Sequence, residues 1–166
     1  MANMIPISTV TVGSGGSSAI EFTNIPQNYT DLIVKLSLRD NFTGGVADDL
    51  LLTINGSTAS FSNRYIYGNG SNAFSGTAYG NLAGTTASNA TSNTFSNVEV
   101  YFPNYAGSTN KSYSVDAVSE NNATEAYIHM IAGLRSNTDA ITSLKFSTSY
   151  TMQQYSSATL YGIRKY

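Results

Sequence analysis

A chain of 166 residues is the size of one domain with a single hydrophobic core. Its 41% apolar content suffices for that core, but only 11% of the residues are charged and the net charge is −2, which excludes the basic stripe that nucleic-acid binding requires. Cysteine is absent, which excludes a disulfide framework and a thiolate metal site, and no run approaches the roughly 18–20 apolar residues of a membrane-spanning helix.

The first residues carry no basic region followed by an apolar stretch, so no secretion leader is expected. Ile5, Ile7 and Val10 lie in a strand-like stretch over residues 5–12, and the Gly/Ser run at 13–18 reads as a flexible joint after it, either an ordinary loop or a hinge that lets the arm pair with a neighbouring subunit. The sequence therefore predicts a flexible N-terminal arm over residues 1–12 and one β domain over residues 19–166.

Within that domain, period-two alternation recurs between clusters of Gly, Asn, Ser and Pro, and no segment reads as a helix. Strands are predicted at 19–25, 31–40, 50–54 and 61–67, then at 98–102, 113–117, 126–132, 141–148 and 158–163, about ten in all with the first. The clearest is 31–40, where Leu32, Val34, Leu36 and Leu38 share a face that must be buried. Val98, Val100 and Phe102 form a similar face, as do Tyr113, Val115 and Ala117, and Ala126, Ile128, Met130 and Ala132. Asn55-Gly56 tolerates the positive φ of a tight reversal and predicts a hairpin joining 50–54 to 61–67. Residues 68–94, dominated by Gly, Ser, Asn, Thr and Ala, break the rhythm. They are expected to form a long surface excursion, anchored by Phe74, Tyr79 and Leu82 and suited to partner contact. Many short strands without helices predict an antiparallel β-sandwich or a barrel.

Residues able to carry chemistry are sparse. His129 is the single histidine and stands on a strand, without the companions of a zinc site or a catalytic triad. Asp48 and Asp49, with Asp40, offer the oxygen ligands that calcium takes, or the charges of a solvated loop beside a strand. The remaining acids are too dispersed to nominate a glycosidase pair, and the Gly/Ser run lacks the Lys-Ser/Thr of a phosphate loop. No enzyme activity and no cofactor is expected. The 23 Ser, 19 Thr and 17 Asn make the surface one of neutral hydroxyls and amides, and the 12 Tyr with no Trp suit interface anchors or a sugar-stacking platform.

Several phrases taken together carry a resemblance. They are the run from Ile20 to Arg39, then Ile54-Asn-Gly, then Tyr101-Phe-Pro-Asn-Tyr, and finally Ser157-Ala-Thr-Leu-Tyr-Gly-Ile. As a set, spread over most of the chain, they resemble small virion structural proteins of tailed bacteriophages. The resemblance implies a jelly-roll β-sandwich acting as a capsid decoration, or cement, protein. Such a protein would be a homotrimer on the capsid surface, bound between subunits of the major capsid protein and assembled in the host cytoplasm, with neither nucleic acid nor membrane as partner. The expected contacts are Met4, Ile5, Ile7 and Val10 in the arm, Phe74, Tyr79 and Leu82 in the excursion, and the tail Arg164, Lys165 and Tyr166. The alternative is a tail-fibre or baseplate component that binds a host receptor or glycan through residues 68–94 and their tyrosines.

Overall fold

In the computed structural model of the chain, residues 3–78, 81–122 and 125–164 are described. They form β1 (Asn3–Thr11), β2 (Ser17–Phe22), β3 (Asp31–Leu38), β4 (Ala47–Ile54), β5 (Phe61–Gly68) and β6 (Ala73–Ala78). These are followed by β7 (Asn81–Thr86), β8 (Ser96–Pro103), β9 (Lys111–Ser119), β10 (Tyr127–Arg135), β11 (Leu144–Met152) and β12 (Ser157–Arg164). The fold is an antiparallel β-sandwich: an eight-stranded sheet, β1-β12-β3-β8-β9-β10-β5-β6, packs on a four-stranded sheet, β2-β11-β4-β7.

Four pairings are nested in the sequence: β1 with β12, β2 with β11, β3 with β8 and β4 with β7. They are the rungs of one long hairpin, folded so that successive rungs fall alternately in the larger and the smaller sheet. Two shorter hairpins interrupt it, β5–β6 between β4 and β7, and β9–β10 between β8 and β11. β5 pairs with β10, so both insertions widen the larger sheet on the same side.

The core lies where the sheets overlap. Directly opposed residues of an antiparallel pair share a face, and Val34 opposite Val100 and Leu36 opposite Val98 turn two predicted apolar faces inward together. They meet Leu50, Leu52 and Ile54 of β4 and Leu144 and Phe146 of β11, and none of these side chains is more than 2% exposed. Each buried aliphatic or aromatic side chain contributes about 1.5–3 kcal/mol relative to its exposed state.

Three expectations are corrected. Residues 3–11 are no flexible arm but the edge strand β1, paired with β12 from Asn3–Arg164 to Thr11–Ser157. The Gly/Ser run after it is a turn, closed by the Gly16 N–H donating to the Gly13 carbonyl at 3.0 Å with Gly16 at φ +71°. Gly and Ser serve turns as readily as linkers, and only the docking of β1 decides between them.

Asn55 and Gly56 do form a tight reversal, with φ of 51° and 73°, yet β4 and β5 lie in different sheets. The Asn55 side chain is committed elsewhere, its Oδ1 accepting from the Thr142 and Ser143 N–H groups and its Nδ2 donating to the Ala140 carbonyl. The turn thus starts a crossover and ties it to the segment before β11.

Residues 68–94 are not one excursion. They contain β6 and β7, and Leu82 is wholly buried in the core. The loop after β7 is organised by Arg39, only 5% exposed, whose guanidinium donates to the carbonyls of Ser88, Ala90, Thr91 and Thr94 at 2.9–3.2 Å.

Candidate functional surfaces

Widening one sheet but not the other leaves the inner face of β10, β5 and β6 beyond the cover of the smaller sheet. The overhang and the β4–β7 edge enclose an open cleft of about 790 Å³. One wall carries Tyr65, Tyr67, Tyr127 and His129, and the other carries Asp48, Asp49 and Asn81.

β10 turns the face opposite to the expected one inward. Val115 is directly opposed to Ile131, and Tyr113 to Gly133, so once β9 buries Tyr113 and Val115 the register sends His129, Ile131 and Gly133 the same way. Ile128 and Met130 point outward and are 56% and 57% exposed. The strand carries apolar residues on both faces, so alternation alone could not choose between them.

His129, Tyr67 and Phe74 stand opposite one another on three adjacent strands. Tyr67 stacks on Phe74 at 4.7 Å and on His129 at 5.2 Å between ring centroids, and Tyr67 and His129 line the cleft. Tyr65 is held differently. A methyl carbon on Gly76 of β6 would lie 2.6 Å from the Tyr65 Oη and 2.8 Å from its Cζ, so the ring rests on bare backbone. Tyr127 donates its hydroxyl to Glu125 at 2.7 Å, and that bond, with burial, pushes the phenol up to about 12. Burial pushes the His129 imidazole down against the opposing pull of Asp49, so the ring is neutral at pH 7.

The facing wall is acidic. Asn81 Nδ2 donates to Asp49 Oδ2 at 3.0 Å. Asp48 Oδ2 is buried without a donor from the protein, and Asp40, wholly buried, is its neighbour. Burial, with the charge of Asp40, pushes the Asp48 carboxyl up to about 6. The Asp48 carboxyl therefore holds its proton more tightly than a free aspartate does. Asp40 is anchored further by the Thr85 hydroxyl at 2.5 Å and the Phe42 N–H at 3.0 Å. Among the described residues, no three His, Cys, Asp or Glu side chains are grouped to hold a metal ion.

A second surface lies on the outer face of the same strands. Met130 stands opposite Ile66, and Ile128 opposite Val118, so β5, β10 and β9 present one contiguous apolar patch. Along the Met130 row the patch ends at Asp116, followed by Glu99 and Lys35, which form an ion pair at 2.7 Å. An apolar centre with a polar rim is the anatomy of a protein interface.

The expected contact residues do not gather in one place. Met4 is exposed on β1, whereas Ile7 and Val10 pack against the core and Ile5 is half-buried. Phe74 stands at the outer edge of the aromatic row. Arg164 lies over the Tyr29 ring at 5.1 Å, a ring that itself rests on Gly162. Tyr79, Lys165 and Tyr166 fall outside the described residues. Of the outer patch, Ile128 and Met130 stand on the face that the sequence assigns to the core; Tyr65 is one of the tyrosines suited to stacking, whereas Asn81 carries no local signal, because the cleft joins segments that are adjacent only after the two insertions pair. No protein-family model, curated protein or solved structure matches the chain.

Proposed function

We propose that the chain is a structural protein of a tailed-phage virion, a homotrimeric decoration protein that stabilises the head by binding between coat subunits. The observation that supports this reading is the exposed apolar patch of Ile66, Met130, Ile128 and Val118 on a paired, rigid sheet. Such a face lowers its free energy by being covered, and on the sheet it meets a partner without ordering a loop. We read the nested strand pairing as the jelly-roll winding, in keeping with the sequence resemblance, which is what supplies the particle. A ligand that binds only the assembled shell stabilises that shell by mass action, and a decoration protein acts in this way without chemistry.

The contact surface in this reading is the outer face of β9, β10 and β5, not the N-terminal residues. Localising the chain by electron microscopy in the virions that carry it tests the assignment: density over the head lattice is expected, and density confined to the tail overturns it. Ile66→Lys and Met130→Lys are expected to abolish head binding while leaving the thermal unfolding of the free chain within a few degrees of wild type. Undiminished head binding by both variants removes the patch as the contact.

A further inference from the structure

We propose that the cleft between the β10–β5–β6 overhang and the β4–β7 edge binds an uncharged pyranoside glycan, with the Tyr65 ring as platform and Asp49 and Asn81 as the hydrogen-bonding pair. The cleft is on the inner face of the sheet and the apolar patch on the outer face, so the two surfaces are independent and this site does not rest on where the chain sits in a particle.

Shape comes first. An open cleft of about 790 Å³ is within the usual range of small-ligand sites and admits one or two sugar rings with the chain of the glycan leading out. Tyr65 supplies the apolar element. Because Gly76 has no side chain, the phenol lies against β6 backbone, and the half-buried ring, tilted against Tyr67 at 5.9 Å, lines the cleft. A pyranose has one face of C–H groups, and an aromatic face is the partner it buries with least loss of hydroxyl hydration. Tyr67 cannot take this role, since both of its faces are covered by Phe74 and His129.

The opposite wall supplies polarity of matching kind. Each sugar hydroxyl both donates and accepts, so neighbouring hydroxyls are best met by an acceptor beside a donor. Asp49 and Asn81 provide that pair. Their mutual bond at 3.0 Å fixes the two side chains while leaving free one carboxylate oxygen, one amide N–H and the amide carbonyl. The partners come from β4 and β7, adjacent strands of the sandwich, and so are positioned by the core rather than by a loop.

Charge selects the class of glycan. Among the described residues Asp48 and Asp49 line the cleft and no Lys or Arg does, and His129 beside them is neutral at pH 7. Uronates, sialic acids and sugar phosphates would bring a negative charge against an acidic wall with no cation to meet it.

The test is a printed array of neutral, amino and acidic glycans probed with the full chain displayed multivalently, followed by titration calorimetry with the best neutral ligand. Retention of neutral glycans is expected. Asp49→Ala and Tyr65→Ala should each weaken binding at least tenfold, whereas Tyr65→Phe, which keeps the platform, should bind within about threefold of wild type. Thermal unfolding of each variant separates loss of the site from loss of the fold. If Tyr65→Ala fails to fold, Asp49→Ala at the exposed rim carries the test alone. No retained neutral glycan, retention of acidic or amino glycans in preference to neutral ones, or undiminished binding by folded Asp49→Ala would overturn the proposal.

Discussion

The Tyr113 ring lies across the backbone of Gly133, with Cζ and Cε2 each 2.2 Å from where a methyl carbon on that glycine would stand. The two residues are directly opposed on β9 and β10, and the ring is 3% exposed. Its hydroxyl donates to Asn63 Oδ1 at 2.5 Å, and burial pushes the phenol up to about 12. Tyr65 over Gly76 and Tyr29 over Gly162 repeat the relation. In each pair, the glycine's weak strand preference is offset by a ring that covers its backbone. Two of the three pairs lie in the inserted hairpins that build the cleft.

Gly133→Ala should therefore destabilise the chain by about 1–3 kcal/mol, since the added carbon meets a ring that packing holds in place. Urea denaturation checks this as a lower midpoint with an unchanged slope. A midpoint equal to wild type would mean that the ring moves freely.

Arg39 acts as the internal support of the loop between β7 and β8. Arg39→Met keeps much of the side chain's length but removes the guanidinium donor from the carbonyls of Ser88, Ala90 and Thr94, and leaves Thr91 only its bonds from Thr94. A loss of at least about 3 kcal/mol is expected from hydrogen bonds to a charged group. Amide exchange should quicken in residues 87–95 before it does so in β3.

Arg135 makes the opposite prediction. It is 4% exposed, and its Nε and Nη1 are buried without an acceptor, so the guanidinium carries a desolvation cost that its hydrogen bonds do not offset. Burial pushes it below its ordinary value, with Asp139 opposing. Arg135→Met is expected to be neutral or stabilising by about 1 kcal/mol, read from the same urea midpoints.

Asp48 sets a pH dependence. Folded, its carboxyl is pushed up to about 6, above its unfolded value of 3.8, so the folded state holds the proton more tightly. The contribution to stability is full below the unfolded value and is lost as pH rises through about 6. Asp40, Asp49 and His129 are the titratable groups nearby, and the charge of Asp40 is the one that adds most to the effect of burial. Wild type should melt at a lower temperature at pH 8 than at pH 5. Asp48→Asn, whose amide can donate to Asp40, should reduce that difference and raise the melting temperature at pH 8. Calorimetric scans at the two values check both statements.

Much of the fold was legible in the sequence because several of its strands have one predominantly apolar face. In β3, β8 and β9 the period of two left a single burial choice, and Leu32, Val100 and Val115 are buried as their spacing required. β6 and β7 gave no such signal. Their residues are Gly, Ala, Ser, Thr and Asn with one Phe and one Leu, and they are strands because β5 and β4 offer them hydrogen-bonding edges.

By itself the sequence determined a sparsely charged, cysteine-free, all-β chain whose alternating segments each had to bury one face, since period-two burial is a local property of each strand. The tertiary structure alone decided which segments pair, because pairing depends on contacts between residues far apart in the chain. The register of β10 on β9 turns His129 inward and Met130 outward, and β5 meeting β10 carries the larger sheet past the smaller one. The aromatic cleft and the apolar patch are the two faces of that one junction.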